Sequence, residues 1–258
     1  MDKIKGTGVA LITPFNADLS VDYAGLEKLL NHQIEGGIDY LVLMGTTGES
    51  TVLAKIEKEE IIAFCKKITA GKLPIVLGLG GNNTLALIEE IKTTDFTGID
   101  AVLSVSPCYN KPTQEGIYQH YKMIAEACPL QIILYNIPGR TSSNMSAGTT
   151  LRLANDFKNI IAIKEASGDM DQIMQIIKNK PADFVVLSGD DGLTLPMIYM
   201  GAEGVISVIG QSHPKEYRAM VAEARKGNIA NANALHYSIY DYYEPLYAEG
   251  NPAGVKAC

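Results

Sequence analysis

Three features of this chain could carry chemistry: a lysine at the end of one apolar run, a tyrosine at the end of another, and two threonines in a glycine turn. Lys164 follows Ile160-Ile161-Ala162-Ile163. Such a run reads as a strand buried on both faces of a parallel sheet, and side-chain alternation puts Lys164 on one face with Ile160 and Ala162. Its amine then sits at the rim of an apolar interior, where partial desolvation disfavours the ammonium. A free amine is what attacks a carbonyl to form a Schiff base. The plainer reading is a lysine that ends a strand and extends its head to water. Tyr135 ends the preceding run, Ile132 to Tyr135. A phenol beside an amine can pass protons while a carbinolamine forms and dehydrates. Gly45-Thr46-Thr47-Gly48-Glu49-Ser50 supplies two hydroxyls and the backbone N–H groups of a glycine turn, suited to holding a carboxylate. Its plainer reading is a connecting loop with Ser50 as a helix cap. Arg140, in Tyr135-Asn136-Ile137-Pro138-Gly139-Arg140-Thr141, offers a fork for a second carboxylate, against the plainer reading of a surface arginine.

The elements that must position these residues are legible as alternation. Eight short apolar runs, Val9 to Thr13, Tyr40 to Met44, Ile75 to Leu79, Ala101 to Val105, Ile132 to Tyr135, Ile160 to Lys164, Phe184 to Ser188 and Gly204 to Val208, predict eight strands. Amphipathic segments lie between them, such as Tyr23 to Glu35 behind the cap candidate Asp22, and Glu57 to Ile68. Another cap candidate lies in Ser167-Gly168-Asp169, after the sixth run. Eight such units predict an α/β chain folded as a closed (β/α)8 TIM barrel over residues 1–225, followed by a C-terminal helical region, 226–258. In that fold the site lies at the carboxyl ends of the strands, so Lys164, Tyr135 and the Thr46-Thr47 turn converge. An open nucleotide-binding sheet is disfavoured: Gly78-Leu79-Gly80-Gly81 has the wrong glycine spacing, and the turn at Gly45 lacks a Gly-Lys-Ser/Thr ending. After the eighth run, helical patterns cover Pro214 to Lys226 and Ile229 to Tyr243. Tyr237, Tyr240, Tyr242, Tyr243 and Tyr247 are too many aromatics for an outer face, so packing against the barrel or a second subunit is expected.

Composition bounds the rest. A chain of 258 residues, 47% hydrophobic, is long enough for one large core. The net charge of −7, with no basic run, makes nucleic acid and anionic membranes poor partners and points to a small molecule. Cys65, Cys108, Cys128 and Cys258 form no metal-like cluster with the histidines, so a reduced, cytoplasmic protein without metal or cofactor is expected. No apolar run approaches the roughly 20 residues of a membrane span.

Five segments occur together in order: Gly45 to Ser50, Tyr135 to Thr141, Ile163-Lys164-Glu165-Ala166, Ser188-Gly189-Asp190-Asp191 and Gly204-Val205-Ile206-Ser207-Val208. With them the chain, from Gly6 to its end, resembles the 4-hydroxy-tetrahydrodipicolinate synthases, also called dihydrodipicolinate synthases. The resemblance implies that Lys164 forms a Schiff base with pyruvate, whose enamine attacks aspartate semialdehyde before cyclisation. It implies a proton relay of Tyr135, Thr46 and Tyr109, the last reaching in from a neighbouring subunit of a homo-oligomer, a dimer or a tetramer built as a dimer of dimers. It assigns the pyruvate carboxylate to Thr47, the semialdehyde carboxylate to Arg140 and backbone contacts to Gly189 and Ile206. It also implies an inhibitor pocket for lysine around Ser50, Lys55, Lys58, Ala86, Tyr109 and Asn251. The chain departs from the family pattern at Cys108, at Ala86, where a glutamate is common, and at Asn251-Pro252-Ala253-Gly254-Val255-Lys256. Ala86 implies weak feedback by lysine, and the C-terminal helical region is expected to be incomplete.

Two alternatives stand beside this reading. N-acetylneuraminate lyases and 2-keto-3-deoxy sugar acid aldolases use the same lysine and tyrosine, but Arg140 and the threonine pair suit a short dicarboxylic product better than a polyhydroxylated chain. A catalytically silent ligand-binding barrel would be favoured by loss of the lysine or tyrosine, and both are present.

Overall fold

The computed structural model describes residues 2–258. Eight parallel strands close in sequence order: β1 Gly6–Ala10, β2 Tyr40–Leu43, β3 Ile75–Gly78, β4 Ala101–Val105, β5 Gln131–Asn136, β6 Ile160–Glu165, β7 Val185–Ser188 and β8 Gly204–Ser207. The (β/α)8 barrel expected from the alternation is the fold. Helices follow the strands where the patterns put them. The helix Tyr23–Gly36 is capped by Asp22, whose side chain accepts from the Gly25 N–H. The helix Met170–Asn179 is capped in the same way by Asp169, which accepts from the Gln172 N–H. The helix Lys55–Thr69 begins beyond Ala54, so Ser50 does not cap it.

Two apolar layers follow from strand alternation. Ala10, Val42, Val76, Leu103, Ile133, Ala162 and Leu187 fill the barrel interior, whereas Val9, Leu41, Leu77, Val102, Leu134 and Ile163 face the surrounding helices. In β6 the expected alternation is interrupted. The register with β5 shifts between Ile132, which faces Ile160, and Ile133, which faces Ala162, so Ile161 is opposite neither. A bulge of this kind re-aims side chains, and here Ile160 joins the helix-facing layer while Ile161 and Ala162 face inward. Lys164 therefore shares its face with Ala162 but not with Ile160, a correction to simple alternation.

β1 starts three residues earlier than the apolar run suggests, because its glycines serve closure. Gly6 pairs with Gly204 across the β1/β8 seam. A Cβ on Gly204 would stand 2.2 Å from the Gly6 carbonyl oxygen and 2.6 Å from its nitrogen. Beyond β8, the helix Pro214–Arg225 packs on a helix, Ile229–Ser238, that ends well before the pattern does. The chain turns at Ile239, passes through the 3-10 turn Tyr240–Tyr242 and resumes as Tyr243–Ala248. Ile239, Tyr243 and Leu246 bury in the same cluster as Tyr217 and Met220. Tyr237, Tyr240 and Tyr242 remain largely exposed. Among the described residues no helix is long and apolar enough to cross a membrane.

Gly204→Ala should lower stability by about 1–3 kcal/mol, because the clash is with backbone that cannot turn aside. An unchanged urea midpoint would show that the β1/β8 seam tolerates an opening of this size.

Candidate active site

The ends of β5 and β6 are in register, Tyr135 with Lys164 and Asn136 with Glu165. Period-two alternation sends the first pair inward and the second outward. Both members of the inner pair are 6% exposed, and the Lys164 Nζ lies 4.3 Å from the centre of the Tyr135 ring. Among the described residues no carboxylate forms an ion pair with this amine. The Gly189 N–H donates to the Glu165 carbonyl at 2.8 Å, which brings the start of the β7 loop alongside β6. A Cβ at Gly189 would meet Ala166 Cβ at 2.7 Å, Lys164 Cε at 2.9 Å and Lys164 Cγ at 3.1 Å, so the missing side chain leaves the space that Ala166 and the lysine stem occupy.

The outer pair forms a closed polar network. Glu165 is fully buried and accepts from Asn136 Nδ2 at 3.0 and 3.2 Å, from Gln172 Nε2 at 3.1 Å and from the Ser167 N–H at 2.9 Å. Burial pushes its carboxyl above the usual range, while the bonds from Ser167, Asn136 and Gln172 pull the other way. Asn136 Oδ1 accepts from the Met145 N–H at 2.9 Å, and Asn136 Nδ2 also donates to Asn144 Oδ1 at 2.8 Å. The network ties β5, β6, the segment after Arg140 and the first turn of Met170–Asn179 into one unit directly behind the amine and the phenol.

A cavity of about 1280 Å³ opens at the carboxyl ends of the strands, with Lys164 and Tyr135 in its wall. Thr46, Thr47, Arg140 and Gly189 line it too. Thr47 is 3% exposed, and Arg140 is carried into place by the short helix Pro138–Thr141. The turn before Ser50 is held by a bond from Thr13 Oγ1 to the Gly48 carbonyl at 2.7 Å.

Other expected residues lie elsewhere. Ile206 is buried among the interior side chains and pairs through its backbone with Gly8 of β1; two residues further on, Val208 reaches the cavity. Tyr109 is 86% exposed, in a left-handed backbone with φ of 66°, and does not reach this chain's own cavity. The expected inhibitor pocket is divided: Ser50, Lys55 and Lys58 line the cavity, whereas Ala86 sits exposed on the first turn of Thr84–Thr93. Asn251 lines the cavity beside Thr47 and Arg140: its Nδ2 donates to Thr47 Oγ1 at 3.0 Å and its carbonyl accepts from Arg140 Nη2 at 3.1 Å. The same cavity holds Ser50, Lys55 and Lys58, with which the resemblance grouped it.

Two residues named in the sequence without a place at the site belong to it or to its support. Tyr247 joins the cavity wall, its ring partly exposed and its hydroxyl donating to Asp191 Oδ2 at 2.9 Å. Burial and then the Asp191 carboxylate push this phenol far above its ordinary range, so it stays a neutral donor. Asp191 is 2% exposed and also accepts from the backbone N–H groups of Val208 at 3.0 Å and Ile209 at 2.8 Å, fixing the β7 and β8 loops together. The Ser188-Gly189-Asp190-Asp191 run was visible, but which of its two acids turns inward was not.

The model of the dihydrodipicolinate synthetase family matches residues 3–258. The chain belongs to that family. It is 56% identical to the 4-hydroxy-tetrahydrodipicolinate synthase of Flavobacterium psychrophilum over 99% of this chain and 87% of that one. Its fold superposes on the crystal structure of the dihydrodipicolinate synthase from Aquifex aeolicus with a TM-score of 0.94, at 42% identity over 98% of this chain and 86% of the other. The chloride-inhibited enzyme of the same family from Acinetobacter baumannii, solved in complex with pyruvate, gives a TM-score of 0.95 at 40% identity, covering 98% of this chain and 87% of its own.

Gly189→Ala should misplace the Lys164 amine. A displacement of about 1 Å at a reacting atom costs about 10²-fold in rate. The measurement is the rate of borohydride-trapped imine formation with a 2-oxo acid. A rate equal to that of the parent protein would show that the lysine stem moves aside at no consequence.

Proposed function

We propose that Lys164 is the Schiff-base lysine of a 4-hydroxy-tetrahydrodipicolinate synthase, condensing pyruvate with L-aspartate 4-semialdehyde on the route to diaminopimelate and lysine. The observation that carries this reading is the Lys164 amine held 4.3 Å from the Tyr135 ring, in register on adjacent strands at the wall of the cavity. The neutral amine attacks the pyruvate carbonyl carbon, and the resulting carbinolamine loses one water to give the imine. Loss of a methyl proton gives the enamine, which forms a carbon–carbon bond to the aldehyde carbon of the second substrate. The amino group of that substrate then displaces Lys164 from the imine carbon, closing the ring and freeing the lysine. Tyr135 and Thr46 are the proposed carriers of these protons, Thr47 holds the pyruvate carboxylate and Arg140 that of the semialdehyde. Family membership supports the reaction class, and the residue types around the amine support the roles. Sugar-acid lyase activity is less well supported, because Arg140 is a fork for a carboxylate rather than a set of hydroxyl partners.

Tyr109 completes the relay in a neighbouring copy of the chain. An exposed tyrosine held in a left-handed backbone is an unusual surface residue, and non-glycine residues in that region are costly unless something over-determines them.

Borohydride with pyruvate should add one covalent group at Lys164, and Tyr135→Phe should lower turnover by roughly 10² to 10⁴. An adduct on another lysine, found by mass spectrometry, would remove Lys164 from the mechanism. Arg140→Ala should weaken use of the semialdehyde far more than formation of the pyruvate adduct; equal loss in both half-reactions would make Arg140 structural. Mixing inactive Tyr109→Phe and Lys164→Ala proteins should restore some activity through hybrid assemblies, and a mixture as inactive as its components would contradict the shared site.

A further inference from the structure

One short C-terminal segment is tethered to several of the strand-end loops that surround the cavity. Tyr247 bonds Asp191 of the β7 loop, the Asn251 carbonyl accepts from Arg140 of the β5 loop, and the Asn251 amide donates to Thr47 of the β2 loop. Lys256 adds an ion pair with Glu49 of the same β2 loop, and its ammonium lies 4.3 Å from the centre of the Phe15 ring. The bond to Thr47 has a chemical consequence. A hydroxyl has one proton and two lone pairs, so when an amide N–H occupies a lone pair the hydroxyl's own proton is free to be donated elsewhere. Thr47 is 3% exposed and lines the cavity, which leaves that proton for whatever lies inside it. An O–H that already accepts a hydrogen bond is also polarised into a better donor. We infer that Asn251 is a positioning residue that sets the Thr47 hydroxyl as a donor to the pyruvate carboxylate.

This inference rests on the reading of Thr47 as a carboxylate ligand, and deepens it. It also separates the two substrates. The side chain of Asn251 serves Thr47, whereas Arg140 is held by the backbone carbonyl, which a side-chain substitution leaves in place. The charge of the side chain matters as much as its presence. An aspartate has the same shape but only acceptors when ionised, so it would take the Thr47 proton for itself and place a negative charge beside an anion.

The test compares kcat/KM for each substrate in Asn251→Ala, Asn251→Asp and Thr47→Val. Asn251→Ala should lower kcat/KM for pyruvate about tenfold, the size of one hydrogen bond, and leave that for the semialdehyde within about twofold. Asn251→Asp, nearly isosteric, should lower the pyruvate value further, and the defect relative to the parent protein should shrink as the pH falls into the carboxyl range and the side chain regains a donor. A merely structural residue would give no such pH dependence and would reduce both substrates alike. Asn251→Asp with parental kcat/KM for pyruvate overturns the inference, as does equal loss for both substrates in Asn251→Ala. If Thr47→Val also leaves pyruvate unaffected, the assignment of Thr47 itself fails; if Thr47→Val is damaged and Asn251→Asp is not, only the role of Asn251 falls.

Discussion

The site depends on the register of two strands. Because Tyr135 is opposite Lys164, Asn136 is opposite Glu165, and the pleat sends one pair into the barrel and the other out of it. A slip by one residue would exchange the faces, burying a carboxylate among the interior side chains and turning the amine toward the helices. The polar network outside the barrel opposes that slip. Glu165 is a buried carboxylate whose acceptors are met by Asn136, Gln172 and the Ser167 N–H, and a group of this kind is costly to leave unpaired. The same bonds that satisfy it hold the backbone of both strand ends, so the cost of moving Glu165 becomes the rigidity of Lys164 and Tyr135. An amine and a phenol held this way keep their geometry with the cavity empty, which is what orientation of reacting groups requires.

Closure of the barrel supplies the second condition. The amine and phenol lie at the rim of a packed apolar interior, with Ala162, Leu187 and Ile206 beneath them. Apolar side chains close the interior below, and the cavity opens on the other side of the amine. Gly189 and Gly204 contribute by what they lack: one leaves space for the lysine stem, the other lets β1 and β8 approach. Neither effect depends on a favourable contact. Both depend on the absence of a side chain that would otherwise fill the space.

Much of this was legible in the sequence because it is periodic. Eight apolar runs at regular spacing define the barrel, and the residues that end the fifth and sixth runs are the ones that meet. The bulge in β6 was not legible, since Ile160, Ile161, Ala162 and Ile163 are all small or apolar and no pattern among them marks a shift of register. Tyr109 reads as part of a turn, and its exposure gives a single chain no reason to single it out. Asp191 was visible only as one of two adjacent acids, and the face it takes is decided by the backbone N–H groups of Val208 and Ile209, seventeen and eighteen residues away.

The C-terminal segment was the least legible, and for a reason that applies to barrels generally. Strand-end loops are positioned by the barrel only at their roots, so their tips need partners to be fixed relative to one another. A segment that follows the last strand is free of the βα repeat and can cross the mouth from one loop to another. Here Tyr247 and Asn251 do so, and the contacts they make, with Asp191, Arg140 and Thr47, span sequence separations of 56, 111 and 204 residues. No local pattern encodes a contact at that range. Substitutions within this segment therefore act on residues that belong to three different loops, and variation at its sequence changes the mouth of the barrel while the eight strands stay as they are.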